Sequence, residues 1–183
     1  MLSNVKHAGL TMYGVEFNKI YKNTDFYILT KSHEIYYGQK IETGLNISNK
    51  FIPYICDDTS GFHFVNLINL VPLTDYKRYI RKVKIPNDAI IYIGFEQFKT
   101  NKFILEDKIE IKNFNKWQDP IFQPIAAKID PCTLRFMNNT TEETQLNAVK
   151  YNGLSIAFIK NPSNKVKKCA LHENPQASHY IKN

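Results

Sequence analysis

Cys56 and His63 stand seven positions apart, close enough in the chain to suggest a metal or a catalytic pair. A zinc-type site needs two further convergent ligands, and the sequence offers only His33 and scattered aspartates. No metal site is expected. Asp57 and Asp58 are adjacent carboxylates of the kind acid–base catalysis uses, but they lead into Ser60-Gly61, where Asp is ordinary turn chemistry. A basic run, Lys77, Arg78, Arg81, Lys82 and Lys84, interleaves charge with Tyr79 and apolar residues. That pattern suits an anionic surface or a nucleic acid, and it is also what the solvated face of a strand produces. Lys165, Lys167 and Lys168 make a second basic cluster. Gly-rich phosphate loops and the GxSxG, HExxH and EF-hand patterns do not occur, so no cofactor is expected.

Charge and composition weigh on these candidates. The chain has 24 Lys and Arg against 17 Asp and Glu, a net charge of +7, but only three of the 24 are Arg. Base-edge and phosphate-fork recognition draws on the planar arginine fork. A lysine excess beside abundant Asn and Ile fits an AT-rich coding sequence, and the charge argument is kept to solubility and steering. Apolar residues at 43% describe a folded chain with little room for a disordered tail. The three cysteines are far apart and odd in number, which points to a reducing compartment rather than a disulfide framework. The first residues lack the apolar run of a secretory signal, and no stretch reaches the ~18 apolar residues of a membrane helix. A soluble, intracellular protein with no membrane association is expected.

The elements that must position these residues divide the chain in two. Residues 1–25 read as an N-terminal extension. Residues 26–122 read as a β-rich α+β domain: 26–30, 35–37, 62–65, 79–85, 89–93, 102–105 and 108–111 are β-branched or aromatic runs separated by Gly, Pro and Asp turns. Residues 66–71 could form a short helix stopped by Pro72. A linker over 113–124, holding Trp117 and two prolines, closes this domain.

Residues 123–183 carry the sharpest pattern. Ala126, Ala148 and Ala170 each begin a segment that reaches Asp130, Asn152 or Asn174 and then a helix breaker, Pro131, Gly153 or Pro175. Leu134, Phe136 and Met137 lie over Ile156, Phe158 and Ile159, and Asn139, Asn161 and Asn183 close the copies. The spacing is 22 throughout, giving copies 126–147, 148–169 and 170–183. Thr140 or Thr141 would cap a helix with Glu142 and Glu143 in its first turn, running to Asn152-Gly153, where glycine permits a left-handed stop. A second short helix would carry Ile156, Phe158 and Ile159. One such pair cannot bury its apolar face alone, and stacking copies into a short α-solenoid would do so. Variable surface positions of a solenoid are where partners are read; here they are Lys150, Lys160, Lys165, Lys167 and Lys168.

Ala148, Val149, Lys150, Asn152, Gly153, Ile156, Phe158, Ile159, Lys160 and Asn161 resemble the short helical repeats found in giant viruses of amoebae and some large phages. Tyr27-x-Leu29-Thr30, Thr43-Gly44-Leu45-Asn46, Gly61-Phe62-His63-Phe64 and the 79–88 stretch resemble an N-terminal domain of unknown function that precedes repeats in mimivirus-like genomes. The resemblance implies a viral repeat-adaptor protein, acting in the host cytoplasm or the virion on a host or viral protein partner. The same order of Tyr27, Gly44-Leu45 and Gly61-Phe62-His63 is also similar to the ADP-ribosyltransferase arrangement, which implies a pocket at Tyr27 and His63. Tyr27 stands there in place of a histidine, His63 in place of a tyrosine, and only Glu96 or Glu106 is available as the acid. A degenerate relative without transferase activity is what that similarity implies. The expectation carried forward is an adaptor binding a protein through its repeats, with nucleic-acid association and a nucleotide-handling fold as alternatives.

Overall fold

The computed structural model describes residues 4–53, 59–74 and 78–181 of this α+β protein. It forms two compact units, Met1–Ile111 and Lys112–Asn183.

In the first unit the chain runs through β1 (Thr11–Tyr13), α1 (Gly14–Ile20), β2 (Phe26–Thr30), β3 (Ile35–Tyr36), β4 (Gln39–Lys40), β5 (Gly44–Ile47), β6 (Phe62–Asn66) and α2 (Leu67–Leu70). It continues through β7 (Tyr79–Lys84), β8 (Ile90–Ile93), β9 (Phe98–Thr100), β10 (Lys102–Leu105) and β11 (Ile109–Glu110). Strands β1-β8-β9-β6-β2-β7-β10-β5 lie in that order in one antiparallel sheet, β11 pairs with β7, and β3–β4 is a separate hairpin. Alternation sorts the side chains: Phe26 and Ile28 on β2, Phe62 and Phe64 on β6, and Ile91 and Ile93 on β8 all enter one buried cluster. Asn66 caps α2 by accepting from the Asn69 amide, and the helix gives way at Val71 to a 3-10 turn holding Pro72.

Within the stretch read as an extension, residues 11–20 are built into the sheet and core of the first unit. β1 pairs with β8 in the register Thr11↔Tyr92, and α1 delivers Phe17 to the centre of the core. The Phe17 ring is fully buried, with Phe26, Phe64 and Phe98 centroids 5.1, 5.9 and 5.3 Å away. The helix is too short to show a reliable period in sequence, so its burial is visible only once these distant aromatic partners are assembled around it.

The second unit begins earlier than the composition suggests. Trp117, expected in a linker, is fully buried. It is stacked on Phe122 and Phe136 at 5.7 and 5.5 Å and edge-on to Phe114 at 5.8 Å. Gln123 ties it down by donating from Nε2 to the Trp117 carbonyl at 2.9 Å. The boundary therefore falls at 111/112 rather than 122/123. Three α-helices follow: α3 (Phe122–Ile129), α4 (Glu142–Tyr151) and α5 (Asn164–Glu173). Each runs into a 3-10 turn, at Pro131–Phe136, Gly153–Phe158 and Pro175–Tyr180.

At each junction an Asx residue in extended backbone stops the helix and caps the turn. Asp130, Asn152 and Asn174 have φ of −141°, −148° and −151°. Their Oδ1 atoms accept from the Cys132, Leu154 and Gln176 amides at 2.9, 3.0 and 2.9 Å. Thr141 and Ser163 cap α4 and α5 from their hydroxyls. Gly153 has a different role from the left-handed stop read in sequence, because its φ is not positive. A Cβ there would lie 2.5 Å from the Ala170 carbonyl oxygen and 3.0 Å from Asn174, so glycine lets α5 approach. Val149, Ile156, Val166, Ala170 and Ala177 form the core behind that contact. Among the described residues no helix is long and apolar enough to cross a membrane.

Candidate functional site

The basic run lies on β7, whose neighbours β2, β10 and β11 surround it with carboxylates. Arg78 meets Glu110 at 3.3 Å, Lys82 meets Asp25 at 2.7 Å, and Lys84 meets Glu106 at 2.9 Å. Arg81, read in sequence as part of a surface patch, is instead buried, its side chain 3% exposed. Its Nε and Nη2 donate to the two oxygens of Glu34 at 2.8 Å each, and Nη1 donates to Thr43 Oγ1 and the Glu106 carbonyl at 2.9 and 2.8 Å. The bidentate bonds from Arg81 hold the Glu34 carboxyl below its ordinary range, and Lys108 at 3.4 Å adds to this. Lys77 lies outside the described residues. The described part of the run thus makes four ion pairs: Arg81 forms a buried latch, while Arg78 and Lys84 are paired but stay solvent-facing.

Glu34 fastens the β3–β4 hairpin to the sheet. The hairpin turns through Tyr37 and Gly38 with φ of 46° and 82°, the two positive values a tight two-residue turn needs between paired Tyr36 and Gln39. A second anchor joins it to β6: the His63 amide donates to Tyr36 Oη at 2.9 Å, and His63 Nδ1 lies 3.1 Å from the same hydroxyl. A third anchor is Gln39, which donates to the Ile47 carbonyl at 2.6 Å and accepts from the Asn49 amide at 3.2 Å. Between these anchors lies a cleft of about 180 Å³ whose walls include Tyr36, Tyr37, Gln39, Ser48, Lys50 and Phe62. No carboxylate is among its described walls.

Tyr27 and His63 share a sheet face, because Tyr27 pairs with Val65, two residues beyond His63. Their environments differ. Tyr27 is buried and its hydroxyl donates to Asp25 at 3.5 Å. Burial, reinforced by Asp25, pushes its ionisation above the usual tyrosine range. His63 turns to Tyr36 at the cleft margin. Of the acids considered with them, Glu106 is committed to Lys84, and Glu96 sits in the β8–β9 turn, its carbonyl accepting from Asn69. Lys99, missed in sequence, is 2% exposed and sits directly across from His63. Alternation could not have found it, since β9 is buried at all three positions and the pattern predicts an outward Lys99. Asp57, Asp58 and Cys56 lie outside the described residues, and among those described no cluster of His, Cys, Asp and Glu could hold a metal.

The lysines of the second unit contrast with those on β7. Lys165 is 3.9 Å from Glu142, which also accepts from Ser163 Oγ at 2.5 Å. Among the described residues no carboxylate comes within ion-pair distance of Lys150, Lys160, Lys167 or Lys168, nor of Lys128, which sequence reading passed over. Lys128, Lys150 and His172 occupy the last turns of α3, α4 and α5, 22 residues apart, and all three are exposed. The repeat spacing carries that signal. Residues 112–183 hold ten Lys and Arg against five Asp and Glu, so most of the net charge belongs to this unit.

Comparison with family models, curated proteins and solved structures found no match to this chain.

Proposed function

We propose that the chain is an interaction protein of adaptor type whose second unit is a short solenoid presenting a protein-binding surface. The observation that carries this reading is the contrast between buried and exposed positions at 22-residue intervals. Inside, Ala126, Ala148 and Ala170 are identical and fully buried, and the Asp130, Asn152 and Asn174 caps repeat one geometry. Outside, Ile121, Glu143 and Lys165 share one position, and Ile129, Tyr151 and Glu173 share another. A scaffold held constant beneath a surface that varies is the organisation of repeat proteins that read partners. Tyr151 at 70% exposure and Phe158 at 41% supply apolar contact area on that surface. On this reading the protein is a viral adaptor of the host cytoplasm or virion, a part that rests on the sequence resemblance alone.

The test is capture from host-cell lysate by the tagged full-length chain, with nuclease treatment, beside a Tyr151→Ser/Phe158→Ser variant of unchanged circular dichroism. A protein retained after nuclease by the parent and lost by the variant is the expected result. Capture that is equal for both chains, or that disappears with nuclease, overturns the reading.

A further inference from the structure

We infer that the partner of this surface is an extended acidic segment with carboxylates at about every third residue, docking along the Lys128–Lys150–His172 column. The inference rests on the adaptor reading and names the partner chemistry.

The first argument is charge. Arg78 and the basic side chains of β7 each lie within 3.3 Å of a carboxylate, from Glu110, Glu34, Asp25 and Glu106. Lys128 and Lys150 have no acid partner among the described residues, in a unit where bases outnumber acids two to one. The demand for negative charge thus sits on the second unit and is met from outside it.

The second argument is spacing. Lys128, Lys150 and His172 hold the same place on three helices that pack in succession, α3 on α4 and α4 on α5. Packed helices lie about 8–10 Å apart. A polyproline II chain rises ~3.1 Å per residue with three residues per turn, so every third side chain returns to one face at roughly 9 Å, in step with the column.

The third argument separates peptide from nucleic acid. Arg135 is the one arginine of this unit, and its guanidinium lies over the Phe136 ring at 4.7 Å. Lys128 and Lys150 therefore offer single ammonium contacts without the planar fork that phosphate recognition favours, and His172 adds an imidazole that lies 3.4 Å from Glu173.

Fluorescence anisotropy with the full chain tests this. The probes are a labelled 12-residue peptide with Glu at every third position, an isomer with the same glutamates in one block, and a single-stranded oligonucleotide of equal charge. The spaced peptide is expected to bind more tightly than the other two. Lys128→Gln/Lys150→Gln is expected to weaken it about tenfold, the scale of two exposed ion pairs. Both positions are exposed helix sites where Gln is well tolerated, so the variant keeps its fold. Equal affinity for the two peptides, tighter binding of the oligonucleotide, or no effect of the double change overturns the inference. If lysate capture depends on Tyr151 and Phe158 but no acidic peptide binds, this inference falls and the adaptor reading stands. If neither is seen, both fall.

Discussion

Replacing Glu34 by Gln removes one charge from a pair in which Arg81 is 3% exposed and Glu34 12%. The guanidinium keeps Thr43 Oγ1 and the Glu106 carbonyl as neutral acceptors, but its compensating carboxylate is gone. Gln also turns an NH₂ group toward one of the guanidinium donors. Breaking a buried ion pair from one side costs about 3–5 kcal/mol. The two retained acceptors place Glu34→Gln near the lower end, about 3 kcal/mol. Against a domain stability of roughly 5–15 kcal/mol this is a large fraction. With a urea m-value of ~2 kcal/mol/M, the midpoint should fall by about 1.5 M. The assay is urea unfolding followed by far-ultraviolet circular dichroism, since the single tryptophan lies in the other unit and would not report on this one. Glu34→Met/Arg81→Met serves as the partner measurement, because replacing both charges by apolar groups is often close to neutral. A loss below about 1 kcal/mol for Glu34→Gln, or a double variant less stable than the single one, would refute the latch.

Further outcomes follow from this pair and from contacts in the second unit. Because the folded Glu34 carboxyl is held below its ordinary range, its contribution is complete above the unfolded value of about 4.3 and disappears as pH falls through the lower folded value. The stability gap between parent and Glu34→Gln should therefore be flat from about pH 5 to 7 and close below about pH 4, as read by unfolding curves across pH. Gly153→Ala forces a Cβ against the Ala170 carbonyl and should cost about 1–3 kcal/mol, measured by Trp117 fluorescence in urea. Ser155 Oγ is buried without a hydrogen-bond partner, whereas Ala177 fills the same position 22 residues on. Ser155→Ala should be neutral or stabilising by up to ~1 kcal/mol, and Thr133→Ala, which loses a bond to the Asp130 carbonyl, should destabilise by about 1 kcal/mol.

Local chemistry was legible in the sequence of this protein. A helix cap involves residues a few positions apart, and a 22-residue spacing is read from chain order alone. Sequence therefore narrows the α4 cap to Thr140 or Thr141 and marks Asp130, Asn152 and Asn174 ahead of a helix breaker; the structure selects Thr141 and makes the three Asx side chains the caps. Strands β2, β6, β7, β8, β10 and β11 were readable from their β-branched and aromatic runs, whereas the short β1, β5 and β9 were not. Three things depended on distant partners and were decided only by the tertiary structure. Phe17 looks like part of a leading segment until Phe26, Phe64 and Phe98 close around it. Trp117 reads as linker until Phe122 and Phe136 stack on its ring. Arg81 belongs by composition to a basic surface run, and its burial follows from Glu34, 47 residues earlier in the chain, placed beneath it by the β3–β4 hairpin. Charge is a property of a residue, but whether that charge is available to a partner is a property of what folds against it.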